Sequence, residues 1–115
     1  MIRTVVAMAA LLVAGQAVGQ ETITLNGIAR TVSLMTALYG CGRYYPINTP
    51  LIEKVALASR RMGEEVAARE GKDWRAILVA ELERRITEVN ATGQQLWCQD
   101  QYEIRGNRPL FKRKG

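Results

Sequence analysis

The two cysteines, Cys41 and Cys98, are the first candidates for reactive groups in this sequence. A catalytic thiolate needs a neighbouring base or a second thiol, but the chain has no histidine and neither cysteine belongs to a Cys-x-x-Cys pair. The missing histidine also removes the usual general base and the commonest zinc ligand. Both cysteines are therefore predicted to be structural.

The carboxylates are the remaining groups that could serve as an acid and base pair, as they do in glycosidases. Those on the predicted helices lie on charged outer faces, where a carboxylate is more often solvated than catalytic; they include Glu64, Glu65, Glu81 and Glu88. No phosphate-binding glycine loop, haem-attachment motif or calcium loop is present in the sequence. We expect no catalytic residue, no metal and no cofactor, and we keep a small carboxylate-dependent hydrolase as the weakest alternative.

The first 19 residues have the pattern of an export signal. Arg3 supplies a positive charge, and the apolar run that follows is too short to span a bilayer with its flanks. Small residues at Ala17 and Gly19 predict cleavage after Gly19, with cleavage after Gly15 or Ala17 as the alternative. We predict a signal peptide over 1–19 and a product that is periplasmic or secreted, and soluble once the signal is removed.

Export changes how the cysteines are interpreted. An even number of cysteines in an exported chain is typical of a disulfide, so we predict a Cys41–Cys98 bond. Closing a loop of this length would stabilise a small domain by about 4 kcal/mol through the lost entropy of the unfolded chain. Two buried free thiols, or a bridge between two chains, are the alternatives.

The charge of the predicted mature chain is uneven. Residues 20–101 contain ten basic and ten acidic side chains, so this segment is neutral. From Tyr102 onward, a single Glu103 accompanies five cations, namely Arg105, Arg108, Lys112, Arg113 and Lys114. No periodic apolar face continues past Tyr102, and we therefore predict a flexible basic tail over 102–115.

The first element after the signal allows two interpretations. Spacings of three and four predict an amphipathic helix, with an apolar stripe of Leu25, Ile28, Val32, Met35 and Tyr39. Asn26-Gly27 is also a strong hairpin signal, which leaves a hairpin within residues 23–32 as the alternative. We favour the helix because the stripe continues past the point where a short hairpin would end.

Two further helices are predicted by their start signals and apolar stripes. Thr49 is the expected N-cap of the second helix, with Pro50 at its first position and Gly71 as its C-cap. Its core side is predicted to hold Leu51, Val55, Ala58, Met62 and Val66. Asp73 is the expected cap of a third helix, whose core side is Trp74, Ile77, Leu78, Leu82, Ile86 and Val89.

Gly93 either ends the third helix or lies inside a longer one. In both cases Leu96, Trp97 and Cys98 are expected to return to the core and meet the end of the first helix. The predicted fold is therefore a small all-α domain over 20–101, a bundle of three to four helices clamped by one disulfide.

The stretch YGCGRYYPINTP, residues 39–50, is predicted to be the corner between the first two helices. Arg43, Tyr44 and Tyr45 are expected to project from it beside the disulfide and are the first candidates for partner contact. Trp97, beside Cys98, is most simply a core residue and secondarily an interface anchor. The tail adds Arg105, Arg108, Lys112, Arg113 and Lys114 as candidates for contact with anionic groups.

A short signal peptide, a small helical body and one bridge between distant cysteines resemble the periplasmic acid-stress chaperones of the HdeA type and the helical periplasmic immunity proteins. The resemblance is one of architecture, which by itself implies little about function. Chaperones of that type have Phe and Leu soon after the cysteine, whereas GRYYP follows Cys41 in this chain. The resemblance therefore assigns no functional residue here.

Two functions from different classes follow from these features. The first is an exported protein that binds another envelope protein as an inhibitor, immunity partner, chaperone or assembly factor. The second is a binder of anionic lipid or lipopolysaccharide through the basic tail. A homodimer is a further candidate assembly, and nucleic acid is not an expected partner.

Overall fold

The computed structural model describes residues 23–112 and shows an all-α fold, as predicted. Within these residues the α-helices are α1 (Leu25–Leu38), α2 (Thr49–Glu70), α3 (Trp74–Thr92) and α4 (Gln94–Glu103). Two short 3₁₀ helices, η1 (Tyr39–Arg43) and η2 (Arg105–Leu110), follow α1 and α4. The predicted signal peptide over 1–19, with Arg113 and Lys114 at the other end, lies outside the described residues.

Helix α1 forms where the hairpin was the alternative. The Thr24 hydroxyl accepts a hydrogen bond from the Gly27 amide, which caps the first turn and places Asn26-Gly27 inside the helix. The predicted stripe is buried from Leu25 to Met35, but its last member, Tyr39, is 42% exposed. The preceding residue, Leu38, is fully buried in its place. Tyr39 begins the tighter 3₁₀ turn of η1, and its hydroxyl donates a hydrogen bond to the Glu53 carboxylate.

Helix α2 begins one residue earlier than predicted, and the face that it buries differs from the predicted one. Its N-cap is Asn48, whose side chain accepts from the Leu51 amide, so Thr49 is the first helical residue and Pro50 the second. Gly71 ends the helix in the left-handed conformation, as expected. The buried residues are Ile52, Ser59, Gly63, Val66 and Ala67, whereas the predicted Leu51, Val55, Ala58 and Met62 are half-buried.

Helix α3 departs from its predicted stripe at two positions. Asp73 caps it as expected, by accepting from the Ala76 amide, and Leu78 is buried. Ile86, however, is 59% exposed, while Glu81, assigned to the outer face, is 7% exposed. Because Arg84 and Arg30 pair with the Glu81 carboxylate, a charged side chain occupies an inward position that hydrophobicity alone would not assign to it.

Gly93 separates α3 from α4. Its backbone has φ 95°, a value that glycine adopts without steric cost, so the two helices are not continuous. Beyond this break Trp97 and Cys98 return to the core as predicted, but Leu96 is 52% exposed.

Cys41 and Cys98 are disulfide-bonded, with their Cα atoms 5.4 Å apart, which confirms the predicted pairing. The bond lies at the centre of the largest core cluster. This cluster joins the end of α1 to the last described residues, and it comprises Met35, Leu38, Cys41, Ile52, Trp97, Cys98, Leu110 and Phe111. Within residues 23–112 no helix is both long enough and apolar enough to cross a bilayer.

Candidate functional site

The described part of the predicted tail, residues 102–112, is folded onto the body, which corrects the expectation of a flexible segment. Leu110 is 9% exposed and Phe111 is 4% exposed, and both belong to the cluster around the disulfide. Burying two large apolar side chains supplies the free energy that orders the backbone between them and α4. Leu110-Phe111 is the only adjacent pair of large apolar residues in 102–115, and it was the signal in the sequence.

Backbone hydrogen bonds fasten the tail to the loop before α2. The Asn48 amide donates to the Leu110 carbonyl at 2.9 Å, and the Lys112 amide donates to the Pro46 carbonyl at 2.9 Å. Between them Ile47 and Phe111 form an isolated antiparallel bridge. The Asn48 side chain caps α2 and also donates to the Pro109 carbonyl, so one residue organises both segments.

Three aromatic rings fill the space between corner and tail. Tyr45 stacks on Tyr102 with the ring centroids 4.3 Å apart, and Phe111 meets both rings edge-on, at 6.2 Å from Tyr45 and 5.1 Å from Tyr102. Such pairs stabilise a fold beyond the area that they bury. Tyr45, which was expected to project into solvent, is therefore half-buried and acts as an anchor for the tail.

The corner and the tail both carry exposed cations, and both pack on the cluster around the disulfide. Arg43 and Tyr44 are exposed in the corner, and the Arg43 guanidinium lies 5.9 Å from the Tyr44 ring centroid. In the tail, Arg105 and Arg108 are exposed in η2, and the exposed Lys112 directly follows the bridged Phe111. We call these exposed residues, Arg43, Tyr44, Arg105, Arg108 and Lys112, the basic corner.

The two segments that carry the basic corner have an excess of positive charge. Residues 39–48 and 102–112 contain four cations and one carboxylate, Glu103. The disulfide ties the first segment to α4, since Cys41 belongs to η1 and Cys98 to α4. An exposed aromatic ring and exposed cations can contact an acidic protein surface or an anionic headgroup.

Trp97 does not contribute to this surface. It is 3% exposed, and its indole N–H donates to the Glu88 carboxylate at 2.8 Å. Its assignment as an interface anchor is corrected, because a side chain enclosed in the core cannot meet a partner. The simpler prediction, core packing beside the disulfide, agrees with the structure.

Glu81 and Glu88 belong to a polar network that joins three helices. Arg84 on α3 pairs with Glu81 at 2.9 Å and with Glu88 at 3.6 Å. Arg85 donates to Glu88 at 3.0 Å and to the Ser33 hydroxyl on α1 at 3.1 Å. Sequence reasoning missed this network, although the spacings of three and four among these Glu and Arg residues permit it.

Both carboxylates of the network are held in their charged form. Burial alone would raise the pKa of Glu81, but the hydrogen bond and charge of Arg84, with Asn26 and Arg30, lower it below its ordinary value. The hydrogen bond from Trp97 is the largest influence on the pKa of Glu88 and lowers it, and the Arg85 and Arg84 charges act in the same direction. Neither group is therefore poised to donate a proton near neutral pH, as a glycosidase acid must.

A groove of about 280 Å³ lies between α1 and α3 beside this network. Leu82, Ile86 and Val89 supply its apolar wall, and Arg85 lies at its polar edge. The Arg85 guanidinium is already bonded to Ser33, Glu88 and the Arg30 carbonyl, so the groove offers no unpaired charge. No group of three potential metal ligands occurs within the described part of the chain.

Comparisons with protein-family models, curated proteins and solved structures find no match to this chain. The resemblance to HdeA-type chaperones and helical immunity proteins therefore rests on architecture, which carries little information about function. The basic corner is therefore the feature from which a function can be proposed.

Proposed function

We propose that this chain is an exported, non-enzymatic interaction protein that binds an acidic surface of another envelope protein through the basic corner. The observation that carries the proposal is the attachment of the tail to the corner. These contacts attach the segment that carries Lys112 to the loop that follows Arg43 and Tyr44, and this supports a binding surface shared by the two parts of the sequence.

The order of this surface favours specific binding over loose electrostatic attraction. A flexible tail would lose conformational entropy when it binds, whereas η2 and η1 are already held by Phe111 and by the disulfide. Cations carried on an ordered backbone also steer an acidic partner toward one orientation and raise the association rate. Tyr44 adds a large contact area with few rotatable bonds.

Export rests on two independent features. The signal pattern over 1–19 predicts passage through a secretory route, and the disulfide is of the kind that persists in an oxidising compartment. We infer a periplasmic or secreted location, where the partner is an envelope protein with an acidic patch.

The second candidate function is attachment to anionic lipid or lipopolysaccharide through the same surface. The specific observation in its favour is the exposed Tyr44 ring beside Arg43, since an aromatic ring flanked by cations suits a membrane interface. Binding of purified protein to vesicles containing phosphatidylglycerol, compared with neutral vesicles, separates this function from protein binding.

Co-purification with matched charge reversals tests the proposal. In the variant R43E/R108E the corner loses two cations, and the control R60E/R61E makes the same change at exposed positions on α2. Each variant is purified from the envelope fraction of the source organism at low ionic strength, and the retained proteins are quantified by mass spectrometry.

We expect recovery of one partner to fall at least about tenfold for R43E/R108E, and to stay within twofold for R60E/R61E. Recovery from wild type should also fall as salt is raised. Equal recovery by both variants would contradict the proposal. Attachment to anionic vesicles with no retained protein would replace it by the second function.

A further inference from the structure

The solvent side of α3 carries exposed apolar side chains that the fold does not use. Val79 is 43% exposed and lines a shallow depression with the exposed Ala76 and Ala80. Glu83 lies one turn after Val79 on the same side and is also exposed. Leu78 and Glu81 are buried toward α1, so the face that carries Val79 is left to solvent.

Two opposite charges flank the centre of this face. Arg75 and Glu83 lie four residues before and four residues after Val79, and all three line one shallow depression. Neither charged side chain forms an ion pair with another residue in the range 23–112. They are about 12 Å apart along the helix axis, too far to pair with each other within one chain.

A two-fold axis through Val79 would give both charges a partner of opposite sign. If a second copy packs its α3 antiparallel to the first, each Arg75 meets the Glu83 of the other copy, and two identical ion pairs form. A parallel arrangement would instead place like charges together. The charge pattern therefore selects a second copy of this chain as the occupant, in one orientation.

We propose that the chain forms an antiparallel homodimer through α3, centred on Val79, with reciprocal Arg75–Glu83 ion pairs. The interface is a single helix pair, smaller than the roughly 1,200 Å² typical of stable complexes, so the dimer is weak and concentration-dependent. Arg75 and Val79 lie near the start of α1, where Trp74 packs on Leu25. The basic corner lies at the other end of α1, so dimerisation leaves it accessible and does not depend on the proposed partner.

Sedimentation velocity of the purified, oxidised protein across a series of concentrations from roughly 10 μM to 1 mM tests the dimer. Wild type and the control R61E should show a reversible monomer–dimer equilibrium. The single variants R75E and E83R should each weaken it at least about tenfold, because two attractions become two repulsions. Circular dichroism of each variant confirms that the helices are retained.

Mixing the two single variants gives the sharpest result. R75E and E83R are complementary, so an equimolar mixture should associate as tightly as wild type although neither variant does so alone. The double variant R75E/E83R should also recover the dimer. A wild type that stays monomeric at the highest concentration, or an association unchanged by these reversals, would overturn the proposal.

Discussion

The backbones of Ile47 and Phe111 pair in an antiparallel bridge that fastens the end of the described chain to the loop before α2. Hydrogen bonds from Asn48 to Leu110 and from Lys112 to Pro46 extend the pairing on either side. The basic corner depends on this junction, because it attaches the segment that carries Arg108 and Lys112 to the loop that follows Arg43.

Phe111→Ala should release the tail. The side chain is 4% exposed and contacts two tyrosine rings, so its loss should lower the free energy of unfolding by about 3 kcal/mol. Urea denaturation measures the loss. Ile104→Ala is the control, since Ile104 is 47% exposed and should change stability by less than about 0.5 kcal/mol. Equal stability of F111A and wild type would mean that the tail is loosely held.

Removing the disulfide should cost about 4 kcal/mol, because the bond closes a loop with a sequence separation of 57. The double variant C41S/C98S should therefore unfold at a much lower urea concentration than wild type. Wild type measured with a reductant should match the variant. A reduced protein as stable as the oxidised one would show that the bond adds nothing to the fold.

Gly63→Ala tests the contact between α2 and Trp74. A Cβ at Gly63 would overlap the Trp74 indole, and the cost of overpacking should exceed the roughly 1 kcal/mol that alanine gains as a helix former. We expect a net loss of about 1 to 2 kcal/mol. At Gly106 a Cβ meets nothing within 4 Å, so Gly106→Ala should be neutral or stabilising. A G63A variant more stable than wild type would contradict the close contact between Gly63 and the Trp74 indole.

The free energy of unfolding should fall with decreasing pH only below about pH 4. The folded pKa of Glu81 and Glu88 is lower than the unfolded value near 4.3, so their contribution is present above that pH and is lost as pH falls through the folded pKa. With no histidine in the chain, stability should be nearly constant from about pH 5 to 8.

Urea titrations at a series of pH values measure this dependence. Glu88→Gln keeps an acceptor for the Trp97 indole but no longer titrates. The free energy of unfolding of this variant should therefore fall less steeply as the pH is lowered. Glu64→Gln is the control, because Glu64 is exposed and forms no ion pair among the described residues. A midpoint of acid destabilisation above pH 5 would show that other groups control it.

The sequence was sufficient for the elements whose physical signals are local. Asp73 and Gly71 are a cap and a stop that act within one turn, and the stripe from Leu25 to Met35 depends only on helical periodicity. The cysteine pairing followed from count and compartment, without any knowledge of geometry.

Features that depend on contacts between distant segments could not be predicted in the same way. Asn48 replaces Thr49 as the cap of α2 because it also bonds the tail at Pro109. Gly63 is buried because an indole packs on it, and Glu81 is buried because arginines from two helices neutralise it. The order of the tail depends on an aromatic contact between Tyr45 and Tyr102, which the intervening sequence does not reveal.

Site-specific photo-crosslinking in living cells of the source organism tests the central claim, that the basic corner is the partner-binding surface. A photoreactive amino acid is placed at Tyr44, and in a second strain at Leu57, which is 51% exposed on α2. Ultraviolet light should link position 44 to one envelope protein, and position 57 should give no such adduct. An adduct of the same protein from position 57 alone, or equal adducts from both positions, would contradict the assignment of the site.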